Sequence, residues 1–205
     1  MVSHDYKFIL ITPQKTGSVS LTEALSPYCS LKKIVSQDHA GDCFDYNDEF
    51  GRESKHFPIR RLLTQWSGWS PVRREKFPLP SYLKIGSVRN PWARMLSWYF
   101  WPRRQPQHFS QEGFVNFIQS KGQNQISNHF SHQGHVVMDL FIRLENLQGD
   151  FNIVCDRIGI PAPELPHKNK TNHKHYTEYY DDKTRDIIAE KHIKDIEYFG
   201  YEFGE

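Results

Sequence analysis

"FILITPQKTGSVSLTEAL", residues 8–25, is the stretch from which the fold can be read. An apolar run from Phe8 to Ile11 stops at Pro13. Beyond the turn, Leu21, Ala24, Leu25 and Tyr28 fall at i, i+3, i+4 and i+7, which is one face of a helix. The pattern is strand, tight turn, helix. A helix N-terminus leaves N–H groups without intrahelical acceptors and carries partial positive charge. A loop feeding into it can wrap an anion with backbone amides. Gly17 lets the backbone approach, Thr16, Ser18 and Ser20 offer hydroxyls, and Lys15 adds a full charge. The nucleotide-loop pattern G-x-x-x-x-G-K-[ST] is not met, because the lysine precedes the glycine and no earlier loop glycine exists. A phosphate cradle unlike an ordinary ATP or GTP site is one reading. A plain strand–turn–helix with a surface lysine is the other.

The chain has 205 residues, which predicts one domain, 1–205, large enough to bury a core. A net charge of +2 gives no footprint for nucleic acid. Three widely spaced cysteines, Cys29, Cys43 and Cys155, form neither a metal pair nor an even disulfide set, as expected in a reducing compartment. No apolar run approaches the roughly 18 residues of a membrane span. The short apolar run near the N-terminus reads as the first strand and not as a signal peptide. The expectation is a cytoplasmic catalytic or binding domain.

Further along, residues 36–56 are polar and irregular and read as a long loop. Pro58 opens a helix whose apolar face is Ile59, Leu62, Leu63 and Trp66. "YLKIGSV" (82–88) reads as a buried strand. Asn90 then caps a helix with Pro91 at its first position and a core stripe of Trp92, Met95, Leu96, Tyr99 and Phe100. A helix from near Ser110 carries Phe114, Phe117 and Ile118, and "VVMDLFI" (136–142) reads as a third strand. Leu147, Phe151, Val154 and Ile158 mark a helix ending at Gly159. The last helix, from about Asp182, is expected to bury Ala189, Ile193, Ile196 and Phe199. Strands separated by helices predict a parallel α/β sheet, whose ligands bind past the C-terminal ends of strands. Lys15 and Arg89 both stand just past such ends.

"SVRNPWARMLSWYF" (87–100) is the second stretch with anion chemistry. Arg89 offers a planar fork of donors suited to phosphate, and Ser97, read as off the core stripe, adds a hydroxyl. Taken singly, Arg89 paired to a carboxylate and Ser97 on the surface are the plainer readings. Two anion sites at two strand ends suit one ligand with two separated phosphate-like groups.

Here the chain resembles the sulfotransferases, in the form seen in their carbohydrate branch. Lys15-Thr16-Gly17-Ser18 is similar to the family's 5′-phosphosulfate loop, and Arg89-Asn90-Pro91 with Arg94 and Ser97 to its 3′-phosphate motif. "IRLENLQGDF" (142–151), "LPHKNKT" (165–171) and "DIEYFGYEF" (195–203) resemble the family's C-terminal segments. The resemblance implies a P-loop-like three-layer fold, a central mostly parallel sheet flanked by helices. It implies 3′-phosphoadenosine 5′-phosphosulfate (PAPS) as sulfuryl donor, 3′-phosphoadenosine 5′-phosphate (PAP) as product, and a hydroxyl-bearing acceptor, a carbohydrate first. Gln14 stands where the family usually has proline. Val19 stands where a second hydroxyl is common, and it keeps only its backbone N–H.

By analogy with phosphoryl transfer, sulfuryl transfer needs no metal if cations meet the charge on the leaving phosphate, and Lys15 is the natural group. An acceptor hydroxyl also needs a base. His56, in "SKHFPIRRL" (54–62), resembles the family's Lys-His segment and is the first candidate. Glu49, Glu53 and Glu145 are alternatives, although Glu145 is also placed to fix the strand–helix junction after Arg143. Lys168 and Lys170 form a basic loop that the resemblance brings over the nucleotide. Lys55, Arg103 and Arg104 could meet an anion or simply water. His129, His132 and His135 are evenly spaced, but Gly134 predicts a loop there, not a metal site. The expected cofactor-binding set is Lys15, Thr16, Gly17, Ser18, Val19, Ser20, Arg89, Ser97, Lys168 and Lys170, with Lys15 and His56 catalytic. A non-catalytic PAP-binding relative, favoured by Gln14 and Val19, is the alternative. A nucleotide kinase or NTPase is disfavoured by the order of the first loop.

Overall fold

Phe8–Ile11 is a strand, as its apolar run predicts, and all four residues are buried. It is the second strand, β2, because a two-residue β1 (Val2–Ser3) precedes it and pairs with it antiparallel. The computed structural model describes residues 1–29, 58–101, 109–121, 124–165 and 174–205. They group into two compact units, Met1–Val88 with His129–Lys168, and Arg89–Asn128 with Asn169–Glu205. The fold is α/β, with a mostly parallel central sheet flanked by helices. Among the described residues no helix is long and apolar enough to cross a membrane.

The first unit holds the sheet. α1 (Ser18–Leu25) follows β2; α2 (Ile59–Ser67) and α3 (Pro71–Lys76) precede β3 (Leu83–Val88). α3 was not expected from the sequence, although Ser70 caps it by accepting from the Arg73 amide and Pro71 opens it. β3 lies parallel to β2, with Leu10 opposite Ile85, and parallel to β6 (Leu140–Arg143), with Ser87 opposite Ile142. Residues two apart share a face of a strand, so Phe8, Leu10, Ile85 and Ile142 face one way. They meet Leu21 and Leu25 of α1 and Phe151, Val154 and Cys155 of α6 (Leu147–Ile158). α6 ends where expected, with Gly159 left-handed at φ 75°.

The strand expected over 136–142 is corrected. β4 (Ser131–His132) and β5 (His135–Val136) form a separate hairpin, and the sheet strand begins only at Leu140. Gln133 at φ 50° and Gly134 at φ 85° make the two-residue turn, whose left-handed pair matches the twist of a hairpin. Asp139 then sits at the sheet's edge: its carboxylate accepts from the Lys84 amide at 2.7 Å and its own amide donates to the Lys84 carbonyl at 2.7 Å. An apolar run interrupted by a carboxylate with that task cannot continue as one strand.

The second unit is helical. α4 (Pro91–Tyr99) is capped as predicted, Asn90 accepting from the Trp92 and Ala93 amides and Pro91 leading the helix. α5 (Gln111–Ser120) starts after the Ser110 cap. The expected single last helix is two, α7 (Asp182–Lys191) and α8 (Ile193–Phe199), meeting at His192 (φ −113°, ψ 20°). The buried stripe is also corrected. Ile188, His192, Asp195 and Phe199 are buried, whereas Ile193 is 45% exposed and Ala189 and Ile196 are half-buried. The spacing i, i+4, i+7, i+11 is helical, but its middle members are polar and so escape an apolar pattern. Lys191 reaches α5 and donates to the carbonyls of Ile118, Gln119 and Lys121, serving a helix end whose last carbonyls lack donors within the helix.

Gly86, in the middle of β3, has no room for a side chain: a Cβ would lie 2.8 Å from the Phe141 ring and 2.9 Å from that of Phe130. Gly86→Ala is expected to destabilise by about 1–3 kcal/mol through overpacking. A urea midpoint equal to that of the parent protein would contradict this packing.

Candidate functional site

The turn between β2 and α1 is built by backbone hand. Lys15 has φ 68° and Gly17 φ 85°, with Thr16 between them on the ordinary side. Alternating hands turn successive N–H groups towards one side and make an anion-binding concavity. Lys15 holds the left-handed form at some steric cost, since only glycine adopts it freely. Gly17 is needed twice over: a Cβ there would also meet Leu144 at 3.0 Å. It is the N-cap of α1 without a side-chain cap, so the helix itself offers no acceptor to its first amides at Ser18, Val19 and Ser20.

The side chains divide differently from the sequence expectation. The Thr16 hydroxyl is fully buried, donates to the Pro13 carbonyl at 2.7 Å and contacts the Ser87 hydroxyl at 2.6 Å. Its one proton is therefore committed to bracing the loop, and Ser87 of β3 donates to it. In this structure the Thr16 hydroxyl braces the loop. Ser18 is half-buried, its hydroxyl unpaired among the described residues. Ser20 is buried, and Val19 turns its side chain outward, 39% exposed. Lys15 and Gln14 are half-buried.

In the second unit, Arg89 is half-buried and Asn90 fully buried. The Asn90 amide nitrogen donates to the Glu202 carbonyl at 2.9 Å while its oxygen caps α4. Ser97, expected off the core stripe, is 4% exposed, because α4 buries nearly its whole circumference. Arg94 is 1% exposed; burial lowers its pKa to about 10, with the Asp195 carboxylate opposing the drop and the Arg89 charge adding to it. Asp195, wholly buried, accepts from the Gln125 amide at 2.7 Å and the Ile126 amide at 2.9 Å. Sequence reasoning missed Ser87, Gln125 and Asp195 as members of these constellations. Asp195 alone left a signal, its helical phase with Ile188 and Phe199.

His56, Lys168 and Lys170 lie outside the described residues, as do Lys55, Glu49, Glu53, Arg103 and Arg104. Glu145 is exposed in a short 3-10 turn after β6; the junction beside it is tied by Asp150, which accepts from the Arg143 amide at 2.7 Å. The three evenly spaced histidines do not form one loop: His132 pairs with His135 across the hairpin, and His129 is buried in a π-helical turn, Ile126–Phe130. Among the described residues no group of three or more His, Cys, Asp or Glu is placed to hold a metal ion.

A family model described as the sulfotransferase family matches residues 1–202, through both units. No curated protein and no solved structure matches the chain.

His192 is wholly buried, and burial lowers its pKa below the usual 6.5, the Asp195 contact at 3.4 Å opposing the shift. The unfolded chain therefore takes up the proton more readily than the folded one. The stability so gained is complete above pH 6.5 and is lost as the pH falls below it towards the depressed folded value. The melting temperature is expected to drop between pH 7.5 and 5.5, and His192→Gln should flatten that drop. His4, also lowered by burial, acts with the same sign and leaves a residual slope. Identical slopes for variant and parent would contradict the neutral buried imidazole.

Proposed function

The chain belongs to the sulfotransferase family, and we propose that it transfers the sulfuryl group of PAPS to a hydroxyl, that of a carbohydrate. It is proposed to act as one domain over residues 1–205, and the widely spaced cysteines support a cytoplasmic setting. The observation that carries the reading is the alternating backbone at Lys15 and Gly17 ahead of α1. It supports a cradle for a phosphate-like group made mostly of main-chain amides. Such a cradle tolerates Val19, which keeps its N–H, and spares the Thr16 hydroxyl for bracing.

PAPS supplies the activated sulfuryl group. In this reading residues 15–20 take its 5′ end. Arg89 and Ser97 take the 3′-phosphate, and Lys168 and Lys170 add positive charge for the nucleotide. Lys15 offsets the charge that grows on the leaving phosphate, an interaction stronger in the transition state than in the ground state. His56, neutral, accepts the proton of the acceptor hydroxyl as the new O–S bond forms. The cationic side chains meet the leaving charge, so the reading needs no metal.

Calorimetry in EDTA is expected to show PAP binding, weakened more by Arg89→Ala than AMP binding is, because AMP lacks the 3′-phosphate. Good ATP binding without PAP binding would overturn the proposal. With labelled PAPS and a panel of sugar acceptors, His56→Ala should cut turnover about 10²- to 10⁴-fold with PAP affinity unchanged. It should also remove the ascending limb of the pH–kcat/KM profile. Lys15→Ala should lower both turnover and PAP affinity. PAP binding with no turnover on any acceptor would favour the non-catalytic relative.

A further inference from the structure

Gln125 is wholly buried, yet its amide oxygen has no hydrogen-bond partner among the described residues. Buried polar groups are nearly always satisfied, and an exception calls for an explanation. The amide nitrogen is fully engaged: it donates to the Arg89 carbonyl at 3.1 Å and faces the Asp195 carboxylate at 3.4 Å. Both neighbours are acceptors, so the nitrogen has to be the end that faces them. The backbone of Gln125 is held by the same carboxylate at 2.7 Å, and the Ile126 amide by its other oxygen at 2.9 Å. Asn124 next door donates to the Lys191 carbonyl at 2.9 Å and accepts from the Asp195 amide at 3.3 Å. Gln125 is therefore clamped from the C-terminal helices and reaches out to one atom, the Arg89 carbonyl.

That carbonyl belongs to the peptide between Arg89 and Asn90. Holding it fixes ψ at Arg89, while Asn90 is pinned on its other side to the Glu202 carbonyl. A side chain placed only to fill the core would have been served as well by an apolar residue, without the unsatisfied oxygen.

We propose that Gln125, clamped by the buried Asp195 carboxylate, is a positioning residue that sets the Arg89 backbone and through it the guanidinium that takes the donor's 3′-phosphate. This rests on the role given to Arg89 above. Gln125 touches no substrate; it acts through Arg89, so its effect must be specific to the 3′-phosphate and must disappear when the Arg89 side chain is gone.

The test is a double-mutant cycle read by calorimetry with PAP and AMP, on the full chain, with melting temperatures alongside. Gln125→Met keeps the volume and removes the amide. It should weaken PAP about five- to thirtyfold and leave AMP nearly unchanged, with the melting temperature showing that the variant is folded. In the Arg89→Ala background it should have no further effect on PAP. Gln125→Asn, one methylene too short to reach the carbonyl, should reproduce the selectivity loss and serves if the methionine variant misfolds. Equal losses for PAP and AMP, or an undiminished effect in the Arg89→Ala background, would overturn the relay. A parent protein that prefers PAP over AMP through Arg89, with that preference untouched in both Gln125 variants, would overturn the relay alone. A parent protein with no preference for PAP would overturn the role of Arg89 and this proposal with it.

Discussion

A carboxylate wholly removed from water must be matched by donors or countercharge, and the helical unit is organised around that requirement at Asp195. Two consecutive amides, at Gln125 and Ile126, point at its two oxygens, with the His192 ring at 3.4 Å. Arg94, equally buried, supplies positive charge from α4. Removing one member of such a set leaves the others buried and unmatched, so these residues stand or fall together. Three chain segments far apart in sequence are thereby tied to one side chain.

A second constraint, in the sheet-bearing unit, is the backbone hand of the β2–α1 turn. A side chain at Gly17 would be strained at φ 85° and would crowd Leu144, and Lys15 is held left-handed although it has one. The Thr16–Ser87 contact joins this turn to β3, the strand flanked by both parallel neighbours. A turn braced to the centre of a sheet keeps its amides in place before any ligand arrives. Preorganisation of that kind is what electrostatic stabilisation of a leaving group requires.

Both constraints place fixed dipoles and charges on rigid elements and leave the remaining chemistry to side chains. That division suits a transfer reaction in which positioning and charge compensation dominate.

The local elements were legible in the sequence wherever one physical rule acted alone. The apolar run at Phe8–Ile11, the Asn90–Pro91 cap, the helix start near Ser110 and the Gly159 stop each follow from neighbours along the chain. The position of Gly17 before a helix followed likewise from steric freedom. Where two rules competed, the pattern misled. The run 136–142 is apolar enough for one strand, but the Gln133–Gly134 turn and the Asp139 carboxylate divide it. The last helix was read by its apolar residues, whereas the buried line carries His192 and Asp195. Burial of those groups is decided by partners such as Gln125, 70 positions from Asp195. In the same way Ser87, 71 positions from Thr16, decides that the threonine hydroxyl braces the loop. Sequence alone determined the elements ruled by near neighbours, such as the Phe8–Ile11 strand and the Asn90–Pro91 helix start, because these depend on residues within a few positions of each other. Only the tertiary structure decided which polar groups are satisfied by which, because a hydrogen bond is set by distance in space, and the chain must fold before that distance exists.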